Sequence, residues 1–245
     1  MSQTSTDVRV RWSKTTVTAH PTIGVTSLSK IVMLLSGAVA VLGSLAASLG
    51  LWLTGGRGEH VVLSARGELV RLYGQGLYRD DSVMIGAGFQ GQDAVTLFIA
   101  VPLLLATVWQ FVRDRTKGGL LLSGVLTYFL YVYASMALSA AYNRLFLLYV
   151  ALLSASFFAL VLVLFAIRTT APLVIDLATN LPRRVTAGFF TAAGLITFVV
   201  WTVPIVVSLL EGRPPAFLDH YTTPVTFALD LGLIVPACFV VAGLV

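Results

Sequence analysis

Polar residues interrupt this chain only at long intervals, leaving six apolar runs at 30–54, 93–112, 118–143, 145–167, 185–210 and 222–245. Each run supplies the roughly 20 residues that a helix needs to cross a bilayer core. Backbone groups inside lipid must be satisfied within the segment itself, and these runs are too long and unbroken for barrel strands, so helices are expected. The expected fold is an all-α membrane protein. A polar tail over 1–29 precedes one transmembrane domain over 30–245, a bundle of about six helices.

Composition agrees, with 57% hydrophobic and 11% charged residues against about 25% charged in a soluble domain. A globular core with a wetted surface is excluded. The cations set the expected orientation. Arg9, Arg11, Lys14 and Lys30, then Arg113, Arg115 and Lys117, then Arg168, Arg183 and Arg184 fall on one side. Arg57, Arg66, Arg71, Arg79, Arg144 and Arg213 fall on the other, mostly in one long loop. By the positive-inside rule the first side is cytoplasmic, as are both termini, and loop 55–92 is extracytoplasmic.

The net charge of +5 does not point to nucleic acid, because the cations are divided among short loops without interleaved aromatics. Membrane lipids with anionic headgroups are the expected partner, beside protein subunits or a second copy of the chain. A long polar segment precedes the first apolar run, so that run is expected to stay as an anchor rather than be cleaved. The fourth connection, 169–181, carries Leu173, Val174, Ile175 and Leu177 and is expected to lie in the interface.

Loop 55–92 is expected to cap the bundle, with an apolar patch at 61–63 and a short helix around 67–72. Within it, Gly86-Ala87-Gly88-Phe89-Gln90-Gly91 spells the dinucleotide fingerprint. The context required by that motif, a buried strand before it and an acidic residue about 20 positions on, is missing. The segment is expected to be a flexible entry into the second helix, with Asp93 as its N-cap.

Small residues at Ser36, Ala40, Gly43, Ala47 and Gly50 share one face of the first helix and form an expected packing seam against another helix of the chain, with a dimer interface as the alternative. On the third run Tyr128, Tyr131, Ser135, Ser139 and Tyr142 make a hydroxyl stripe ending at Asn143. Either these hydroxyls bond neighbouring helices or they line a polar cavity open to the outside. The sixth run places Asp230 about six residues inside its outer end. Acids at that depth face a bundle interior or water and usually have a partner. Asp230 leads the candidate binding residues, with Tyr128, Tyr131, Ser135, Tyr142, Asn143, Thr226 and Asp93 expected to converge near the outer leaflet. Asp230 there binds a cation, accepts a hydrogen bond, exchanges a proton, or locks helix six.

His20, His60 and His220 lack ligand spacing, and Cys238 has no neighbouring base in sequence, so no metal or cofactor is expected and Cys238 is a packing residue. Pro102, Pro204 and Pro236 lie inside apolar runs and permit kinks.

The segments Gly76-Leu77-Tyr78-Arg79-Asp80-Asp81, Tyr142-Asn143, Thr222-Thr223-Pro224-Val225-Thr226 and Leu229-Asp230-Leu231-Gly232 together resemble a family of bacterial polytopic integral membrane proteins with no established activity. The resemblance implies a bacterial inner membrane location and chains that continue past the last run. Since that run also stops without a cationic anchor, the sequence is expected to lack further C-terminal helices. Function is expected to be small-solute transport of a permease-like kind. The alternatives are a membrane enzyme acting on a lipid-borne or extracytoplasmic substrate, and a scaffold subunit of a membrane complex.

Overall fold

The computed structural model describes residues 25–168, 182–215 and 217–244. Most of the 1–29 tail and the whole 169–181 connection lie outside the described residues. Among the described residues, six helices are long and apolar enough to span a membrane. They are α1 (Val25–Trp52), α2 (Val83–Arg113), α3 (Arg115–Ser139), α4 (Phe146–Arg168), α5 (Arg183–Glu211) and α6 (Val225–Leu244).

Helices α1 to α4 share one core. Val39, Leu104, Leu122, Leu126, Phe129, Tyr133 and Leu152 are buried in it. The small-residue seam of α1 faces inward, with Ser36, Ala40 and Ala47 buried. A Cβ on Gly43 would sit 3.2 Å from Phe129 of α3. Small side chains let these backbones approach, which matters where lipid supplies no hydrophobic drive.

Helices α5 and α6 pack on each other and meet the four-helix core chiefly where the start of α6 touches α3. Cys238 takes its expected packing role in this pair, since a Cβ on Gly194 of α5 would lie 3.1 Å from that of Cys238. The outward faces of the helices carry exposed Leu34, Phe98, Phe158, Val199 and Leu209, the apolar belt that contacts membrane lipid.

Two helices widen by one residue. Thr96–Ala100 in α2 and Asp230–Ile234 in α6 are π-helical turns, followed by Pro102 and Pro236. Proline lacks an N–H, and its ring presses on the carbonyl four residues earlier. In both helices that carbonyl, of Phe98 or Gly232, lies inside the wider turn. Pro204 instead sits in an unbroken α5.

The segment between α1 and α2 corrects two expectations. Residues 67–72 are not helical: β1 (His60–Leu63) and β2 (Leu69–Leu72) pair antiparallel, Val62 opposite Val70. Leu69 and Arg71 are exposed while Val70 and Leu72 are buried, a period of two that suits a half-buried strand. The base of the hairpin closes because Gly74, at φ +72°, lets its backbone approach Gly58 closely. A Cβ there would lie 1.8 Å from the Gly58 carbonyl oxygen.

The second correction concerns residues 86–91, which are not an entry loop but helix. Since α2 starts at Val83, Asp93 lies within it and is no N-cap. Gly86 packs against Tyr73, and that tertiary contact outweighs the low helix propensity of three glycines. At the opposite end Asp114 does cap a helix, accepting from the Thr116 and Lys117 N–H groups at 3.0 Å each to start α3.

Candidate functional site

Three aspartates, Asp81, Asp93 and Asp230, are buried, and each accepts hydrogen bonds from hydroxyl, indole or amide donors. Among the described residues, no Lys or Arg lies within 4.0 Å of any of them. A carboxylate that leaves water normally gains a cationic partner or suffers a large desolvation penalty. Its neighbours therefore decide what each aspartate does.

Asp93, 1% exposed, sits among tyrosines at the centre of the four-helix core. Tyr78, in the short 3₁₀ turn Gly76–Tyr78, donates to Asp93 Oδ2 at 2.5 Å. Burial pushes the Tyr78 phenol well above its ordinary range, so it remains a donor. Tyr133 of α3 stacks on Tyr149 of α4 at 6.2 Å. One turn along α2, Thr96 shares a 2.9 Å hydrogen bond with Tyr128 of α3. Gly50 closes the fourth side so tightly that its Cβ would fall 1.7 Å from Asp93 Oδ2.

Directly over Gly50 and Tyr78 lies a cleft of about 340 Å³, open at the cap and also lined by Tyr73, Gln90, Gly55 and Gly76. Tyr73 donates to Gln90 Oε1 at 2.7 Å on its wall. Asp93 thus lies under a polar opening, separated from it by a glycine and a phenol.

Asp230, 9% exposed, begins the π turn of α6. Tyr131 of α3 donates to its Oδ1 at 2.5 Å, and Trp201 of α5 donates to its Oδ2 at 2.7 Å. The Trp201 ring lies against Phe227 with centroids 4.2 Å apart. One carboxylate therefore ties three helices at the seam between the four-helix core and the α5–α6 pair. Both π turns begin with a residue bonded to a tyrosine of α3: Thr96 to Tyr128 and Asp230 to Tyr131.

This geometry separates two substitutions. An asparagine at 230 can accept from Trp201, a donor only, and donate to Tyr131, whose hydroxyl works either way. Alanine leaves the indole N–H unpaired. Asp230→Ala is expected to cost about 2 kcal/mol and Asp230→Asn much less, the range for a stranded buried donor. Thermal unfolding in detergent reads the difference; equal losses in the two variants would show that the clamp contributes little.

Asp81, in the connection just before α2, also is 1% exposed. Its Oδ1 accepts from the Ala141 N–H at 2.7 Å and the Tyr221 hydroxyl at 2.6 Å, while Oδ2 has no partner among the described residues. Burial raises its carboxyl to about 6, against those two donors, which pull it down. The neighbouring His220 is shifted down, mainly by burial. Arg66 at the hairpin tip donates to the Tyr221 carbonyl at 2.8 Å and to that of Asp219. These bonds latch the α5–α6 connection to the cap.

The expected site residues therefore divide. Asp230 and Tyr131 meet, with Ser135 one turn along α3 from Tyr131. Asp93 and Tyr128 belong to the tyrosine core. Thr226 lines a small pocket with Ser139 and Tyr221. Tyr142 is 83% exposed, and Asn143 accepts from the Leu145 N–H at 2.9 Å to start α4. Of the hydroxyl stripe of α3, Tyr128 and Tyr131 bond neighbouring helices, whereas Ser139 donates to the Ser135 carbonyl within α3 and Tyr142 is exposed. Sequence reasoning missed Tyr78, Trp201 and the closing role of Gly50, although Gly50 ends the small-residue seam.

The fold and these buried carboxylates define a multi-pass helical membrane protein. Comparison with protein-family models, curated proteins and solved structures gives no match.

Proposed function

We propose that this protein is a permease-like carrier of a small polar solute in a bacterial cell membrane, with its N-terminus cytoplasmic and its cap outside. The observation that carries this reading is Asp93, buried among tyrosines with no Lys or Arg of the described residues within 4.0 Å, and beneath an open polar cleft. A carboxylate in that setting binds a proton or a small cation to neutralise its charge. Solute entering the cleft meets Tyr73, Gln90 and Tyr78, and occupancy of Asp93 couples to it through the Tyr78 hydroxyl.

Asp230 supports the same reading from the seam. It joins two helix groups that otherwise touch over a small area, and it starts a widened turn beside a proline. Broken and kinked helices are where transporters place their binding and moving parts. Because Asp230 bonds Tyr131 of α3 and Trp201 of α5 at once, a ligand or proton there acts directly on the joint that holds the α5–α6 pair to the core.

The test is reconstitution into liposomes, with a panel of amino acids, sugars and carboxylates supplied across a proton gradient. Wild type is expected to move one class of solute with accompanying proton flux. Asp93→Asn, which keeps an acceptor for Tyr78, is expected to lower the rate by at least about tenfold while staying folded. Equal rates in the two proteins would overturn the role of Asp93. Lipid turnover without net transport would make the protein a membrane enzyme. A subunit that cannot be removed without unfolding it would make it a scaffold.

A further inference from the structure

Three arginines, from the α1–α2 and α3–α4 connections, reach the cap-side surface and line two adjoining clefts. Arg144 follows α3, and Arg79 precedes α2; with Asn143, Leu53 and Leu77 they line a cleft of about 490 Å³. Arg79 also lines a second cleft of about 380 Å³, with Arg57 and His60. Among the described residues, Arg57 and Arg144 have no acidic partner within 4.0 Å. Arg79 meets Asp80 only through Nε at 3.5 Å, both half exposed, a geometry worth little and easily exchanged. Asp80 is the acid common to both clefts, so the arginines outnumber it.

The larger cleft sits where helices end. Trp52 closes α1 just before Leu53 and Thr54, and residues 140–145 join α3 to α4. Its lining joins apolar Leu77, which is buried, and Leu53, which is exposed, to the exposed guanidinium groups of Arg79 and Arg144. That combination suits a ligand with an anionic head and an apolar neighbour at the membrane surface. Guanidinium forks match the tetrahedral oxygens of phosphate and hold it through several charge-assisted bonds at once.

We propose that the Arg79–Arg144 cleft binds a phosphate group, presented by an anionic phospholipid headgroup or as free phosphate. This stands apart from the transport reading, since it uses neither Asp93 nor Asp230 and holds for a carrier, an enzyme or a scaffold alike.

The test combines native mass spectrometry, on protein exchanged into detergent with equal phosphatidylglycerol and phosphatidylcholine, with titration of inorganic phosphate by calorimetry. The variants are Arg79→Gln/Arg144→Gln, the single Arg144→Glu, and Arg213→Gln as a control in a different cleft. Wild type is expected to retain phosphatidylglycerol over phosphatidylcholine, or to bind inorganic phosphate, and the double variant to lose about tenfold in that affinity. Arg144→Glu should lose at least as much, and Arg213→Gln should match wild type.

Lipid retention that excess phosphate does not displace assigns the headgroup. Saturable phosphate binding without lipid preference assigns the free anion. Equal lipid retention in wild type and the double variant, with no heat of phosphate binding in either, overturns the proposal. Because both arginines are exposed, unchanged melting temperatures are expected to accompany every loss.

Discussion

Gly50→Ala is expected to destabilise the protein by about 3 kcal/mol or more, at or beyond the usual limit for an overpacked core. The added methyl would lie 1.7 Å from Asp93 Oδ2, 2.7 Å from its Cγ and 2.9 Å from the Tyr78 hydroxyl. None of these neighbours can retreat cheaply. Asp93 is held by Tyr78, and the Tyr78 ring packs on Phe89 at 5.5 Å. The lesion should appear as a lower unfolding temperature in detergent and a lower yield of folded protein. A double-mutant cycle identifies its cause, because Asp93→Ala removes the atoms that collide. If Gly50→Ala costs as much in the Asp93→Ala background as in wild type, contact with the carboxylate is not the source of the loss.

The second large effect depends on pH. Asp81 is raised by burial to about 6 in the folded protein, from an ordinary 3.8. The folded chain therefore holds this proton more tightly than the unfolded one. Stability from that difference is fully present below about pH 4 and is lost as pH rises through 6, by about 3 kcal/mol at most.

Asparagine at position 81 keeps an oxygen for the Ala141 N–H and the Tyr221 hydroxyl without the charge. Asp81→Asn is accordingly expected to raise the unfolding temperature at pH 7.5 and to leave it unchanged at pH 4. Subtracting the two profiles removes the titration of every other group. Parallel profiles across that range would show that Asp81 does not pass through this window in the folded state.

The six spans were legible because uninterrupted apolar length is a direct demand of the bilayer and needs no knowledge of neighbours. Asp230 was legible for the same reason, as a costly exception inside such a run. Its link to Tyr131 was half legible: the stripe on α3 showed a hydroxyl at the right depth but not the helix that it bonds. Trp201 was not legible, because the rotation of α5 against α6 is set by packing such as Gly194 against Cys238, which has no local signal.

Asp93 was misread in role for a related reason. The polar, glycine-rich residues 86–92 look like a loop in sequence, yet Gly86 fits against Tyr73 and lets α2 begin ten residues earlier. The hairpin at 60–72 hid behind mixed content, with only four residues per strand to display a period of two. In each miss, a contact between distant residues overrode what the local sequence favoured.

The two π turns carry a consequence for changes of length rather than of chemistry. A π turn is an α-helix holding one surplus residue, so the stretch on its cap side is rotated by about 100° from where regular winding would place it. In α2 that stretch carries Asp93. Excising one residue from 96–100 would leave a helix of ordinary pitch, yet every side chain from 83 to 95 would face a new compass direction relative to those beyond Pro102. Asp93 would swing away from Gly50 and Tyr78 with its own identity unchanged. The inward aim of this carboxylate is thus held by arithmetic in the backbone, a frame that substitutions preserve and a single deletion erases.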